Sequence, residues 1–448
     1  MLKPARLLRF ARGRLPLCVS RFALLAALLS TTHAFSSSGD SQAQGGAQSG
    51  RQTETNEYTR YELFGPETAS FRISYEVTAT TAGAKAFYNP IRKGSVASDE
   101  SVIDLMTGEK LPFAVVTGEE ARKDPLMTEA EAGTNYIKVT LARAVPADGQ
   151  GRLLILKTYK DAKSYFREGD TIVFNRSLGI KRNKVVLPPG YELVACNVPS
   201  QVLLEADGRV AVSFVSANPG EAPLILKARP GARIGVAAAP HPANETKSWE
   251  APFEGETEKQ RLAERAHQDR DIVYFLQQPE THAFSLYHDY TEARPGTDKY
   301  LNVVRTGSSV SDPSAYILDT GEKLTTKIVT GADLAEQKID AGEPVAPAAQ
   351  VVVIRFAAVK KGQSIRLRIS ETYTAPTSYR LEGDELVFDR SLGRPHNAVV
   401  LPAGWYLTAS SIPAAVTWTG DNRVRLDFAN GRPDSVDVLI KARRRAAN

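Results

Sequence analysis

The stretch YHDYTEARPGTDKY, residues 287–300, is the part of this chain densest in polar and aromatic side chains. An imidazole there can move a proton or ligate a metal, and a neighbouring carboxylate can orient it. His288, Asp289, Tyr290, Arg294 and Tyr300 are therefore candidate binding residues. A plainer reading is a sheet edge closed by a solvated Arg-Pro-Gly turn, and that is the expectation. Alternation puts His288 on the face of Phe284, Leu286 and Tyr290, where a core histidine with a hydrogen-bond partner belongs.

Other reactive groups are sparse. Of the six histidines, His33 lies near the N-terminus, and His241 and His267 fall between two larger segments. His282 and His288, six apart, share a strand face but sit far apart along it, and a zinc site would need further acids or thiols. There is no Gly-x-Ser-x-Gly elbow, Ser-x-x-Lys pair, phosphate-binding glycine loop or calcium loop. Carboxylates are plentiful, but spacing alone does not give the separation that glycoside hydrolysis requires. Neither a cofactor nor a metal is expected.

A sharper question comes from EGDTIVFNRSLG (168–179) and EGDELVFDRSLG (382–393). Around them Tyr159, Tyr165, Glu168, Asp170, Arg176 and Asn183 recur as Tyr373, Tyr379, Glu382, Asp384, Arg390 and Asn397. Glu-Gly-Asp reads as a hairpin turn, with Gly supplying positive φ. Alternation then places Arg176 beside Phe174, and Arg390 beside Phe388, on the inward face. A half-buried arginine needs an anion or carbonyls, because unpaired buried donors are costly. Either each arginine clamps its own loops, which is the expectation, or it receives a ligand carboxylate or sulfate.

The elements that carry these residues occur twice. Residues 66–120 align with 279–333 without a gap, and 22 of the 55 positions are identical. Past a variable stretch the match resumes: NKVVLPPGYELVACNVP pairs with NAVVLPAGWYLTASSIP. Two copies at so long a period point to duplicated domains, not to a solenoid. Within each copy the hydrophobic period is two. In FRISYEVT, Phe71, Ile73, Tyr75 and Val77 share one face. YIKVTLA, RLLILKTY, RVAVSF, VVVIRF, SIRLRIS and RVRLDF are further strands, separated by turn signals. The expected fold is all-β: two homologous antiparallel β-sandwich domains in tandem, joined through a short charged connector helix.

Each copy opens on the same signature: Tyr61, Leu63 and Pro66 in the first, Tyr274, Leu276 and Pro279 in the second. This opening resembles the β-sandwich ahead of the catalytic domain in secreted aminopeptidases of the M61 and M1 type. The zinc motif of those families, His-Glu-x-x-His, does not occur here. The resemblance therefore implies their non-catalytic part alone.

Charge and targeting complete the reading. Residues 1–43 hold six Lys or Arg and one acid, leaving 50 basic and 50 acidic residues in the rest. A neutral body has no net field for nucleic acid, so none is expected as a partner. The basic start, the apolar run FALLAALL (22–29) and the small residues after it form an export signal, too short for a membrane anchor. The expected layout is a signal and cleavage region (1–43), a flexible linker (44–57), repeat 1 (58–230), a connector (231–270) and repeat 2 (271–444). The connector's helix is expected over 256–271, mostly solvated and lightly packed. Once Cys18 leaves with the signal, Cys196 is the only thiol, and its apolar neighbours suggest a buried, inert side chain.

The expected protein is periplasmic or secreted, with no transmembrane segment after signal removal. Its expected role is non-catalytic binding or scaffolding of an envelope protein or polysaccharide, through loops and sheet edges. The alternative is a secreted hydrolase with its site in repeat 2 or between the domains.

Overall fold

The computed structural model describes residues 51–216, 220–231, 264–342, 344–432 and 434–445. The expected export signal, the first half of the expected 44–57 linker and most of the expected 231–270 connector lie outside them. Among the described residues no helix is long and apolar enough to cross a membrane.

The first half begins with β1 (Glu54–Leu63), β2 (Ser70–Ala79), β3 (Ala86–Pro90), β4 (Val96–Asp104) and β5 (Phe113–Thr117). A single helical turn, α1 (Gly118–Ala121), precedes β6 (Asn135–Thr140) and β7 (Gly151–Lys160). The hairpin β8 (Tyr165–Glu168) and β9 (Thr171–Leu178) follows, then β10 (Arg182–Val186) and β11 (Tyr191–Cys196). The half closes with β12 (Gln201–Leu204), β13 (Val210–Val215) and β14 (Ala222–Pro230).

The second half starts with β15 (Asp271–Leu276), β16 (Ala283–Glu292), β17 (Lys299–Val303), β18 (Ser309–Ile317) and β19 (Glu322–Thr330). After α2 (Gly331–Glu336) come β20 (Gln350–Arg355), β21 (Ile365–Thr374), β22 (Tyr379–Glu382) and β23 (Glu385–Leu392). It ends with β24 (His396–Val400), β25 (Trp405–Ser410), β26 (Ala415–Trp418), β27 (Val424–Ala429) and β28 (Val436–Arg444).

The large sheet of the first half runs β12-β13-β10-β1-β2-β7-β4, and a four-stranded sheet runs β11-β14-β9-β8. The second half repeats both orders, as β26-β27-β24-β15-β16-β21-β18 and β25-β28-β23-β22. A three-stranded patch, β3-β6-β5, stands apart in the first half. Its counterpart β17-β20-β19 is continuous with the large sheet, because β18 pairs with β19. Pairing is antiparallel except for β1 with β10 and β15 with β24, which run parallel. The antiparallel β-sandwich pattern expected from the sequence holds in every other strand pair. Parallel neighbours need a long crossover, and eight strands intervene in each half, β2 to β9 and β16 to β23.

Period-two patterning explains how the sheets stack. Phe71, Ile73, Tyr75 and Val77 of β2 are all buried. They meet Phe174, Leu224 and Leu226 of the small sheet in one core. Phe174 stands edge-on to Phe71 with ring centroids 5.3 Å apart, and Phe388 repeats the contact with Phe284 at 5.8 Å. Each such fully buried ring contributes about 1.5–3 kcal/mol.

The connector differs from its expected form. Residues 264–270 contain no helix, and they are wedged into the structure. Glu264 accepts from Tyr58 and Ser213, each at 2.8 Å, and pairs with Lys184. Arg265 is buried and donates to the carbonyls of Gly393 and Asn430, and Asp269 accepts from Arg366 at 2.6 Å. Polar composition suggested solvation, but these side chains instead complete buried polar groups of both halves. Residues 232–263, which hold the rest of the expected helix, lie outside the described residues.

Candidate functional site

The hairpins around the repeated twelve residues form as their turn chemistry requires. Gly169 and Gly383 take φ of +61° and +63°. Tyr165 lies opposite Phe174, and Tyr379 opposite Phe388. β9 and β23 therefore present Arg176 and Arg390 inward, both more than nine-tenths buried. From there their surroundings diverge.

Arg176 Nη1 donates to Asp161 Oδ2 at 3.0 Å, and the guanidinium lies over Phe71 and Tyr159. Asp161 also accepts from Ser164 Oγ at 2.7 Å and Ser95 Oγ at 3.1 Å. Burial opposes ionisation of Asp161, but the Ser164 bonds and Arg176 outweigh it and hold its pKa below the ordinary value. This is a satisfied internal clamp.

Arg390 lies over Phe284, Tyr274 and Tyr373, at 5.3, 5.7 and 5.9 Å from their centroids. Its Nε and Nη1 have no hydrogen-bond partner. The position matching Asp161 is Ala375. Arg390 instead lines a cavity of about 300 Å³ in the second half, with His288, Asn302, Arg305, Glu371 and Asn397 among its walls.

These walls come from five strands or their ends. β16 supplies His288, β17 Asn302, β21 Glu371, β23 Arg390 and β24 Asn397. Asn302 donates to Glu371 Oε2 at 2.7 Å and to the Tyr373 hydroxyl at 3.1 Å, leaving Glu371 Oε1 without a partner. Burial raises the Glu371 pKa above the usual carboxylate range, so the group resists ionising. Arg305 donates to the Ser391 carbonyl at 3.1 Å. His288 is buried, its Nε2 lacks a partner, and its ring stands 5.6 Å from that of Tyr300. Burial, with Arg394 and Arg270 nearby, pushes the His288 pKa down to about 3.

The other sequence candidates lie apart from the cavity lining. Asp289 is turned to the opposite face of β16 and is held by Arg368 through two bonds of 2.8 Å. Tyr290 donates to Glu292 at 2.8 Å, and Arg294 donates to the same carboxylate at 2.6 Å. His288 and Asp289 therefore point in opposite directions and cannot act as an imidazole and its orienting acid. Ser391 donates to Asp437 at 2.7 Å and has the Ser435 hydroxyl, not an imidazole, as its other neighbour. Cys196 is half-buried, its thiol 3.3 Å from the Val198 carbonyl. Among the described residues no group of three His, Cys, Asp or Glu side chains is placed to hold a metal.

Sequence reasoning passed over Glu371, Asn302 and Arg305. A signal for Glu371 was present: its counterpart is Lys157, a reversal of charge at an inward position of otherwise similar strands. Lys157 is buried and bonded to Asn89, the counterpart of Asn302.

No known protein family matches this chain, and no curated protein does. Among solved structures it is similar to an M1 zinc metallopeptidase from Deinococcus radiodurans, with 11% identity and a TM-score of 0.27. That match covers 40% of this chain and 42% of the metallopeptidase. An aminopeptidase N family protein from Idiomarina loihiensis gives 11% identity and a TM-score of 0.24, over 38% of this chain and 29% of that one. The chain thus spans less than half the length of either structure, and likeness at this level assigns it no activity.

Proposed function

We propose that this is an exported, non-catalytic binding protein of the cell envelope or extracellular space, whose ligand enters the second-half cavity. One observation carries the reading: Arg390, Glu371 and His288, which line a single cavity, each carry a buried polar atom without a partner. Unpaired buried groups cost about 1–3 kcal/mol each, and a ligand that completes them recovers that energy. The same cavity is poorly equipped for hydrolysis. An imidazole with a pKa near 3 is a feeble base at neutral pH, since proton transfer works best with a pKa near the working pH.

Edge strands offer a second surface for a partner. β12 and β26 end their sheets and expose Leu204, Val202, Val416 and Trp418. An envelope protein or polysaccharide touching such an edge would gain apolar contact beside the cavity's polar recognition.

The test is an array of acidic and neutral oligosaccharides and peptides, probed with the full chain and with Arg390→Met. Selective retention by the wild type, lost in the variant, is the expected result. Turnover of a peptide, ester or glycoside panel, abolished by His288→Ala, would replace this reading with a secreted hydrolase.

A further inference from the structure

The two arginines sit in matching frames. In the first half the Asp161 N–H donates to the Ala69 carbonyl at 2.9 Å, and the Tyr165 N–H donates to the Asp161 carbonyl at 3.0 Å. In the second, Ala375 donates to His282 at 2.9 Å and accepts from Tyr379 at 2.8 Å. The backbone that aims Asp161 at Arg176 is therefore rebuilt around Ala375, with the carboxylate removed. What the second half has in exchange is the cavity, reached by Arg390 and also walled by Arg305 and Arg394.

From this match we infer that the cavity binds the carboxylate group of a small ligand, which supplies to Arg390 the charge that Asp161 supplies to Arg176. The inference rests on the binding reading above and deepens it. A carboxylate fits better than a phosphate because the first half already uses one at the equivalent guanidinium. Asn302 fixes Oε2 of that carboxyl and leaves Oε1 for a hydroxyl or amide next to the ligand's carboxylate. A cavity of about 300 Å³ holds one sugar or amino-acid unit, at the small end of ligand sites.

Isothermal titration of the full chain with D-glucuronate and N-acetylglycine tests this, with methyl glucoside, N-acetylglycinamide and sulfate as comparisons. At least one carboxylate should bind tenfold or more tightly than its neutral counterpart and than sulfate. The stronger of the two tells a uronic sugar from a chain-terminal carboxylate. Ala375→Asp should weaken that binding tenfold or more while raising the melting temperature, because the chain then carries its own anion. Ala375→Asn, with the size but not the charge, should raise it less. Should Ala375→Asp fail to fold, Arg390→Met provides the same comparison, again with tenfold weaker binding.

Equal binding of the neutral analogues, tighter binding of sulfate, or no carboxylate binding at all overturns the inference. Undiminished carboxylate affinity in folded Ala375→Asp or in Arg390→Met does so as well. The binding reading is judged separately, by the array and the turnover panel.

Discussion

At the scale of single residues, identical letters do different work because one neighbour changed. Arg176 has Asp161, and Arg390 has Ala375. Arg176→Met should destabilise the protein by about 3 kcal/mol, since it strands a buried carboxylate. Arg390→Met should stay within about 1 kcal/mol of wild type or gain, because it removes donors that have no partner. Urea denaturation of the two variants compares them directly, and equal large losses would contradict the assignment. Lys157 gives a second residue-level prediction. Burial, with Arg176 nearby, lowers its pKa to about 7 from an ordinary 10.5. Between these values the unfolded chain holds more protons than the folded one, so stability should rise with pH across that window. The penalty is fully present below about pH 7. The slope should approach 1.4 kcal/mol per pH unit, roughly, and Lys157→Met should flatten it in denaturation series from about pH 7 to 10.

At the scale of elements, local sequence determined the hairpins and short helices. Gly383 holds φ of +63° in open space, so a Cβ there meets no atom and the cost is conformational alone. Gly383→Ala should therefore cost about 1 kcal/mol by thermal melting, with ligand affinity preserved. The helices α1 and α2 are short, but both carry capping boxes, Thr117 with Glu120 and Thr330 with Asp333. Neither helix is legible in the sequence, because four to six residues show no helical period. The strands were legible, since FRISYEVT and its companions alternate over their whole length. Their parallel neighbours were not, because strand direction depends on which distant strand lies alongside.

At the scale of the whole molecule, buried charge ties the halves together. Arg152 of β7 grips Asp319 through bonds of 2.7 and 2.9 Å, with both residues buried. Arg143 donates to the Asp319 carbonyl at 2.8 Å and to Asp104 at 2.7 Å. Gln150 and Ser364 add backbone bonds across the same seam, to Leu318 and Met106. Asp319→Ala should cost about 3–5 kcal/mol, because it leaves the Arg152 charge buried and unpaired. In calorimetry the wild type should melt in one transition, and the variant in a broadened or divided one. An unchanged single transition would mean that the connector segment 264–270 holds the halves without that pair.

The sequence by itself determined the all-β class, the two matching segments, the strand faces and the inward direction of both arginines. Each of these follows from short-range rules: period two, glycine turns and residue-for-residue similarity at constant offset. The tertiary structure decided what those arginines meet. Asp161 is fifteen residues from Arg176 yet bonded to it, while His288, Asn302, Glu371 and Arg390 reach one cavity from four strands. Spacing along a strand gives the face but not the strand opposite. The charge swap of Lys157 for Glu371 and the loss of Asp161 at Ala375 acquire meaning once packing brings Glu371 and Arg390 into the lining of one cavity.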